Sequence, residues 1–280
     1  MTMVWSPNYL GSPGKLILAA TPTWNPTFIK TALWLDAADA STITESGGSV
    51  SQWNDKSGNN FNASQGTSAE RPTYVTNAVG NKNALLFDGV DDFVVVAHNN
   101  LLNMQLDPSA VFCVYKQDVS GTGFRLFQKD DGVGTFADSL FGSPQNFTSV
   151  AGAFGDSYSP AYTPGDVAIQ SFTWDGSLIT NWLDGTLATP GTVFNGTIVG
   201  GSIDPTNTPA ASTDDLYIAK RNNPGSSEGN FQGYICEIIF SNLNLSTIER
   251  QKVEGYLAHK WGLTANLPAD HPYKTVEPTP

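Results

Sequence analysis

The sequence predicts an all-β protein: an antiparallel β-sandwich closed by one C-terminal helix and flanked by extended terminal arms. Three observations lead there. Apolar runs are short and separated by clusters of Gly, Pro, Asn, Ser and Thr, the pattern of many strands joined by tight connections. The run ALLFDGVDDFVVV, Ala84 to Val96, sets two β-rich segments on either side of an Asp-Gly turn signal. One stretch near the end, Ser246 to Gly262, carries helical spacing with start and stop signals. With 280 residues and no internal repeat or low-complexity linker, the chain reads as one domain, residues 31–263, between an N-terminal arm, 1–30, and a Pro-rich tail, 264–280.

The elements follow in order. In the arm, Pro7, Pro13, Pro22 and Pro26 alternate with Trp5, Tyr9, Trp24 and Phe28, so the segment should be extended and docked, either on its own sandwich or on a neighbouring subunit. Leu85 to Phe87 end a buried strand, Asp88-Gly89 turns the chain, and Phe93 to Val96 restart a strand, which predicts a β-hairpin with an acidic tip. VFCVYK and GYICEIIF are strands with Cys113 and Cys236 inside them, read as small buried thiols, with a disulfide left open as the alternative. Glu237 reads as one more residue of its strand. Ser246 and Glu249 form a capping-box pattern, Ile248, Val253, Leu257 and Trp261 recur at near-helical spacing, and Gly262 ends the helix. Four prolines in TANLPADHPYKTVEPTP predict a tail that wraps the surface in extended form and then frays.

Several of these stretches, in this order, resemble a known family. ALWLDAADASTI, VSQWNDKSGNNFNASQ, FDGVDD, VFCVYKQ, QSFTWDGSLITNWLDGTLATP, FQGYICEIIF and STIERQKVEGYLAHKWGL are similar to the laminin-G-like, concanavalin A-like jelly-roll domains of bacteria and their phages. The resemblance implies a jelly-roll sandwich that binds or builds. It also implies that the two Cys-bearing strands are neighbours. Residues 1–30 fall outside the pattern, and the stretch Phe136 to Asp166 is richer in loops than a minimal domain of this kind needs.

Acidic residues number 26 against 14 basic ones, a formal net charge of −12, which repels phosphate backbones and excludes nucleic acid as a partner. No stretch approaches a membrane span, and the apolar run Leu16 to Ala20 is too short for a secretory signal. An adhesive fold without an export signal points to a phage virion protein, head-decorating or tail-associated, assembled in the host cytoplasm. Its expected partners are other virion proteins met through the N-terminal arm, copies of itself in a homo-oligomer, and a cell-surface glycan. The alternative is a bacterial carbohydrate-binding module, extracellular; a glycoside hydrolase stands third.

Calcium is the cofactor the acidic turns suggest, since hard cations take several oxygen ligands. Asp88, Asp91 and Asp92 place three carboxylates within five residues, and Asp130 and Asp131 form a weaker second loop. Asp88 reads first as a turn residue that accepts nearby backbone amides, and Asp91 and Asp92 have the better claim to a cation. For glycan or partner contact the candidates are Tyr158 and Tyr162, in a loop held open by Pro160 and Pro164, and Trp53, which otherwise reads as a packed anchor. Trp34, Trp174, Trp182 and Trp261 read as core. No strand alternates acids as a glucanase cleft requires, and no Gly-x-Ser-x-Gly turn is present, so the expectation is a protein without enzymatic activity.

Overall fold

A computed structural model describes residues 23–103, 107–119, 124–129, 139–143, 147–150, 153–159, 162–194, 196–200, 202–205, 213–220 and 230–280. The strand Ser109–Gln117 shows how it is built. All its residues but Lys116 are buried, because both faces are covered. Val111, Cys113 and Tyr115 enter a core between two layers of strands, while Ala110, Phe112 and Val114 enter a second core beneath the helix. Val167–Trp174 pairs along one edge of this strand and Gln232–Ser241 along the other. Thr31–Asp36 and Lys82–Asp88 share the far edge of Gln232–Ser241, and Ile179–Leu183 returns from Val167–Trp174 as a hairpin.

The opposing layer runs Ser49–Trp53, Ala63–Ser64, Val94–Val96, Leu216–Ile218, Phe124–Lys129. All of these pairings are antiparallel. Trp53, Ala63, Val94, Val96, Phe127, Leu216 and Ile218 complete the inter-layer core. The molecule is an all-β sandwich, with one α-helix among the described residues.

This arrangement corrects the acidic hairpin. Lys82–Asp88 lies in the first layer and Val94–Val96 in the second, and the two pair with other strands, not with each other. The Asp-Gly turn therefore carries the chain from one layer to the next. Local turn chemistry shows where a chain bends, but the partner of each strand is decided by non-local packing.

A bulge in Gln232–Ser241 has larger consequences. Ile235 opposes Tyr115 and Glu237 opposes Val114, leaving Cys236 as the extra residue. An extra residue re-aims the side chains beside it. Cys236 packs in the helix-side core and Cys113 in the inter-layer core, so the thiols sit on opposite faces of neighbouring strands. Both are free, and burial pushes both thiols up.

The helix Thr247–Trp261 begins with the predicted capping box. The Ser246 hydroxyl accepts the Glu249 amide at 3.3 Å, and the Glu249 carboxylate accepts the Ser246 amide at 2.8 Å. Gly262, at φ 75°, lets the chain turn away, with the Leu263 amide donating to Ala258 O. Val253, Leu257, Ala258 and Trp261 are buried, but Ile248 is 64% exposed, so it belongs to the solvent face and not to the predicted stripe.

The tail packs on the surface in successive turns, which corrects the extended, fraying form that its prolines predict. Amide to carbonyl bonds join Asn266 to Leu263, His271 to Pro268 and Lys274 to His271. Tyr273 packs so closely on Gly255 that a Cβ there would lie 2.4 Å from the Tyr273 Cβ. Of the N-terminal arm, residues 1–22 lie outside the described residues; Trp24 is buried against the helix, its ring 5.7 Å from that of Tyr256.

Candidate functional site

The acidic turn closes on itself. Gly89, at φ 79°, bends the chain over Gln232, whose Cβ leaves no room for a side chain there. Asp88 Oδ1 then accepts the amides of Val90 at 2.8 Å and Asp91 at 3.3 Å, the turn role its sequence context allows. Asp92 Oδ2 accepts the Asp88 amide at 3.0 Å. One ligand oxygen from each of Asp88, Asp91 and Asp92 lies within 4.8 Å of the others. Burial, then the charges of Asp88 and Asp91, push Asp92 up to about 6. Beside them Asn230, 4% exposed, donates to Val90 O at 2.6 Å, and its Oδ1 is buried with no hydrogen-bond partner among the described residues.

A polar groove of about 350 Å³ lies at the junction of the first layer with the tail. Tyr162, Thr163 and Asp166 form one wall, Leu183 and Asp184 another, and Asn266 from the tail a third. Asp184 and Gly185, at φ 51° and 76°, form the tight Asp-Gly turn after Ile179–Leu183. Asp184 Oδ1 accepts the Ile169 amide at 2.8 Å, and Asn266 Nδ2 lies 3.4 Å from Oδ2. Burial pushes Asp184 up to about 6.

Tyr162 is half-buried and its hydroxyl is engaged. It accepts the Gln117 amide at 2.7 Å and donates to Asp166 O at 2.8 Å, while its ring lies 5.1 Å from that of Tyr115. Burial raises this phenol. The other aromatic candidates fare differently. Trp53 is wholly buried in the inter-layer core, which corrects its candidacy as a glycan contact and leaves the packed anchor. Its loop is fastened by Asp55, which accepts the amides of Trp34, Ser57 and Phe61. The backbone of Tyr158 belongs to the strand Ala153–Ser159, not to an open loop. Asp130 and Asp131 lie outside the described residues.

Two buried carboxylates were missed by the sequence reading. Glu237, wholly buried, accepts the indole N–H of Trp34 at 2.8 Å and of Trp261 at 2.7 Å, the Tyr256 hydroxyl at 3.1 Å and the Lys260 ammonium at 2.7 Å. Lys260 continues to Asp36, and Asp36 to Lys56, which also meets Asp39. Hydrogen bonds from Lys56 and Ser41 pull Asp39 down to about 2. Glu254, also wholly buried, holds Arg250 through both oxygens and lies 3.3 Å from His271 Nε2. These groups fasten helix and tail to the sheet. Their signals were a lone Glu inside the apolar run CEIIF and the Arg250–Glu254 spacing of four.

No protein-family model matches the chain. No curated protein matches its sequence. Among solved structures the chain is similar to domain 4 of AbnA, a GH43 extracellular arabinanase from Geobacillus stearothermophilus, in complex with arabinotriose. The likeness covers 79% of this chain and 96% of that one, with 13% identity and a TM-score of 0.53. Trypanosoma rangeli sialidase in complex with sialic acid is similar over 82% of this chain and 33% of its own, with 13% identity and a TM-score of 0.49. The botulinum neurotoxin serotype D binding domain is similar over 80% and 50%, with 12% identity and a TM-score of 0.47. This chain thus spans about a third of the sialidase's length and half of the neurotoxin domain's.

What is shared at these identities is the fold. The expectation of a protein without enzymatic activity is corrected by the same finding: the structure this chain matches over nearly the whole of its partner is a domain of an arabinanase. Chemically, the groove offers what a polyol needs. Carboxylate and amide groups sit on its walls with apolar Leu183 beside them, the mixture of apolar surface and a few convergent polar groups found in small-molecule sites.

Proposed function

We propose that the chain is a carbohydrate-binding β-sandwich module of the laminin-G-like, jelly-roll kind, taking an oligosaccharide in the groove bounded by Tyr162, Asp166, Asp184 and Asn266. The observation that carries the reading is the groove: about 350 Å³, with the Asp166 and Asp184 carboxylates and the Asn266 amide on its walls. The fold's likeness to an arabinanase domain solved with arabinotriose supports it. These findings favour the glycan-binding alternative over the virion reading that the sequence placed first. Calcium belongs to the same proposal. The oxygen-only set of Asp88, Asp91 and Asp92 suits a hard cation, and the partnerless buried Oδ1 of Asn230 lies beside the same turn. When bound, the ion would neutralise three crowded carboxylates where the chain passes between layers.

The test is affinity electrophoresis of the full chain through gels containing arabinan, xylan or β-glucan. Retardation by at least one polysaccharide is expected, lost in Asp184→Ala and Asp166→Ala. Free migration in every gel, or retardation unchanged in both variants, would sink the groove reading.

A further inference from the structure

The outer face of the second layer carries an aromatic pair that neither the groove nor the acidic turn uses. Tyr217 opposes Val95, and Val95 opposes Ser64, so these side chains share one face. Their neighbours Leu216, Ile218, Val94, Val96 and Ala63 point the other way, into the inter-layer core. Phe93, two residues before Val95, is the diagonal neighbour of Tyr217, within reach of an aromatic side chain. The two rings stack at 6.0 Å with 29° between their planes, and both remain partly exposed. Lys220 sets its ammonium 3.9 Å from the centre of the Phe93 ring.

Three polar groups around this pair are unspent. The Lys220 ammonium has no carboxylate partner, and the Tyr217 hydroxyl no hydrogen-bond partner, among the described residues. Gln128, the cross-strand partner of Tyr217 on the same face, is 3% exposed, and its Oε1 is likewise without a partner. The partly exposed Tyr217 ring, backed by Phe93 and set beside its own hydroxyl and the Lys220 ammonium, makes a surface suited to the apolar face of a sugar ring with its hydroxyls at the edge.

We propose that Tyr217 and Lys220, held in place by Phe93, form a second saccharide site, on the opposite layer from the groove, which stacks a neutral pyranose on the Tyr217 ring. The proposal rests on the carbohydrate reading above but on different residues. A neutral sugar is favoured over an acidic one by the charge of the whole chain, −12: Asp214 and Asp215 adjoin Tyr217, and the two ammonium groups nearby, Lys220 and the buried Lys129 that donates to Asp214 O, do no more than balance them. Lys220 then acts as a hydrogen-bond donor to a hydroxyl. Two sites on opposite layers would also let one chain bridge two segments of polysaccharide.

The test is calorimetric titration of the full chain with cellohexaose, xylohexaose and an oligogalacturonate, using wild type, Tyr217→Ala, Lys220→Ala and the groove variant Asp184→Ala. Phe93→Leu is the substitute should Tyr217→Ala fail to fold. The expected result is binding of a neutral oligosaccharide that is weakened about tenfold or more by Tyr217→Ala and by Lys220→Ala, with a component that survives Asp184→Ala. Isotherms unchanged by Tyr217→Ala and Lys220→Ala but abolished by Asp184→Ala would overturn the second site and leave the groove standing. Tighter binding of the oligogalacturonate would overturn the neutral ligand, and no binding of any probe would remove both sites together.

Discussion

Asp92 sits in a buried position facing two other carboxylates, and burial with the charges of Asp88 and Asp91 lifts it to about 6. Its value in the unfolded chain is near 3.9, so the folded form holds the proton more tightly. The stability this contributes is fully present below about pH 4 and is lost as pH rises through about 6. Asp92→Asn keeps an oxygen for the Asp88 amide and removes the charge. It should raise the melting temperature at pH 7.5 by a few degrees, about 1 kcal/mol, and change little at pH 4. Calcium should raise the wild-type melting temperature at pH 7.5 and act far less on Asp92→Asn, because a ligand held only by the native state stabilises it by mass action. A lower melting temperature for Asp92→Asn at pH 7.5 would show that the charge is already compensated. The Asp88 turn was legible because Asp-Gly chemistry is local. The burial of Asp92 was not, since it depends on which layers the turn joins.

At the scale of elements, one carboxylate connects strand, helix and the buried charges. Glu237 reaches the helix because the bulge at Cys236 re-aims the strand at that point, and no pattern in GYICEIIF announces a bulge. Glu237→Ala leaves two indole N–H groups, a phenol and the Lys260 ammonium short of an acceptor in a buried place. The expected cost is about 3–5 kcal/mol in chemical denaturation, and Glu237→Gln, which keeps one acceptor and the size, should lose less than half of that. Equal losses would mean that packing rather than hydrogen bonding fixes the helix. The helix itself was readable to its ends from Ser246, Glu249 and Gly262. Its buried face was readable only in part, because Ile248 fits the spacing yet lies on the first turn, where the sheet does not reach.

At the scale of the whole molecule, strand content and the terminal helix followed from composition and spacing, whereas the groove did not. Its walls come from residues 162–166, from the Asp184 turn and from the tail, three places that only the folded chain brings together. The tail is therefore part of the sandwich and of the site. Asn266 lines the groove, His271 meets Glu254 and lies against Gly185, and Tyr273 fills the space over Gly255. Removing residues 264–280 should lower the melting temperature, because buried Glu254 loses His271 and the helix loses its cover. The same truncation should abolish oligosaccharide binding in the groove while sparing the Phe93–Tyr217 face, which lies in the other layer. Calorimetry on the truncated chain separates the two: a surviving component that Tyr217→Ala removes places the second site on that face. Full binding after truncation would instead show that the tail's contacts only stabilise the fold, and that sugar recognition lies elsewhere on the sandwich.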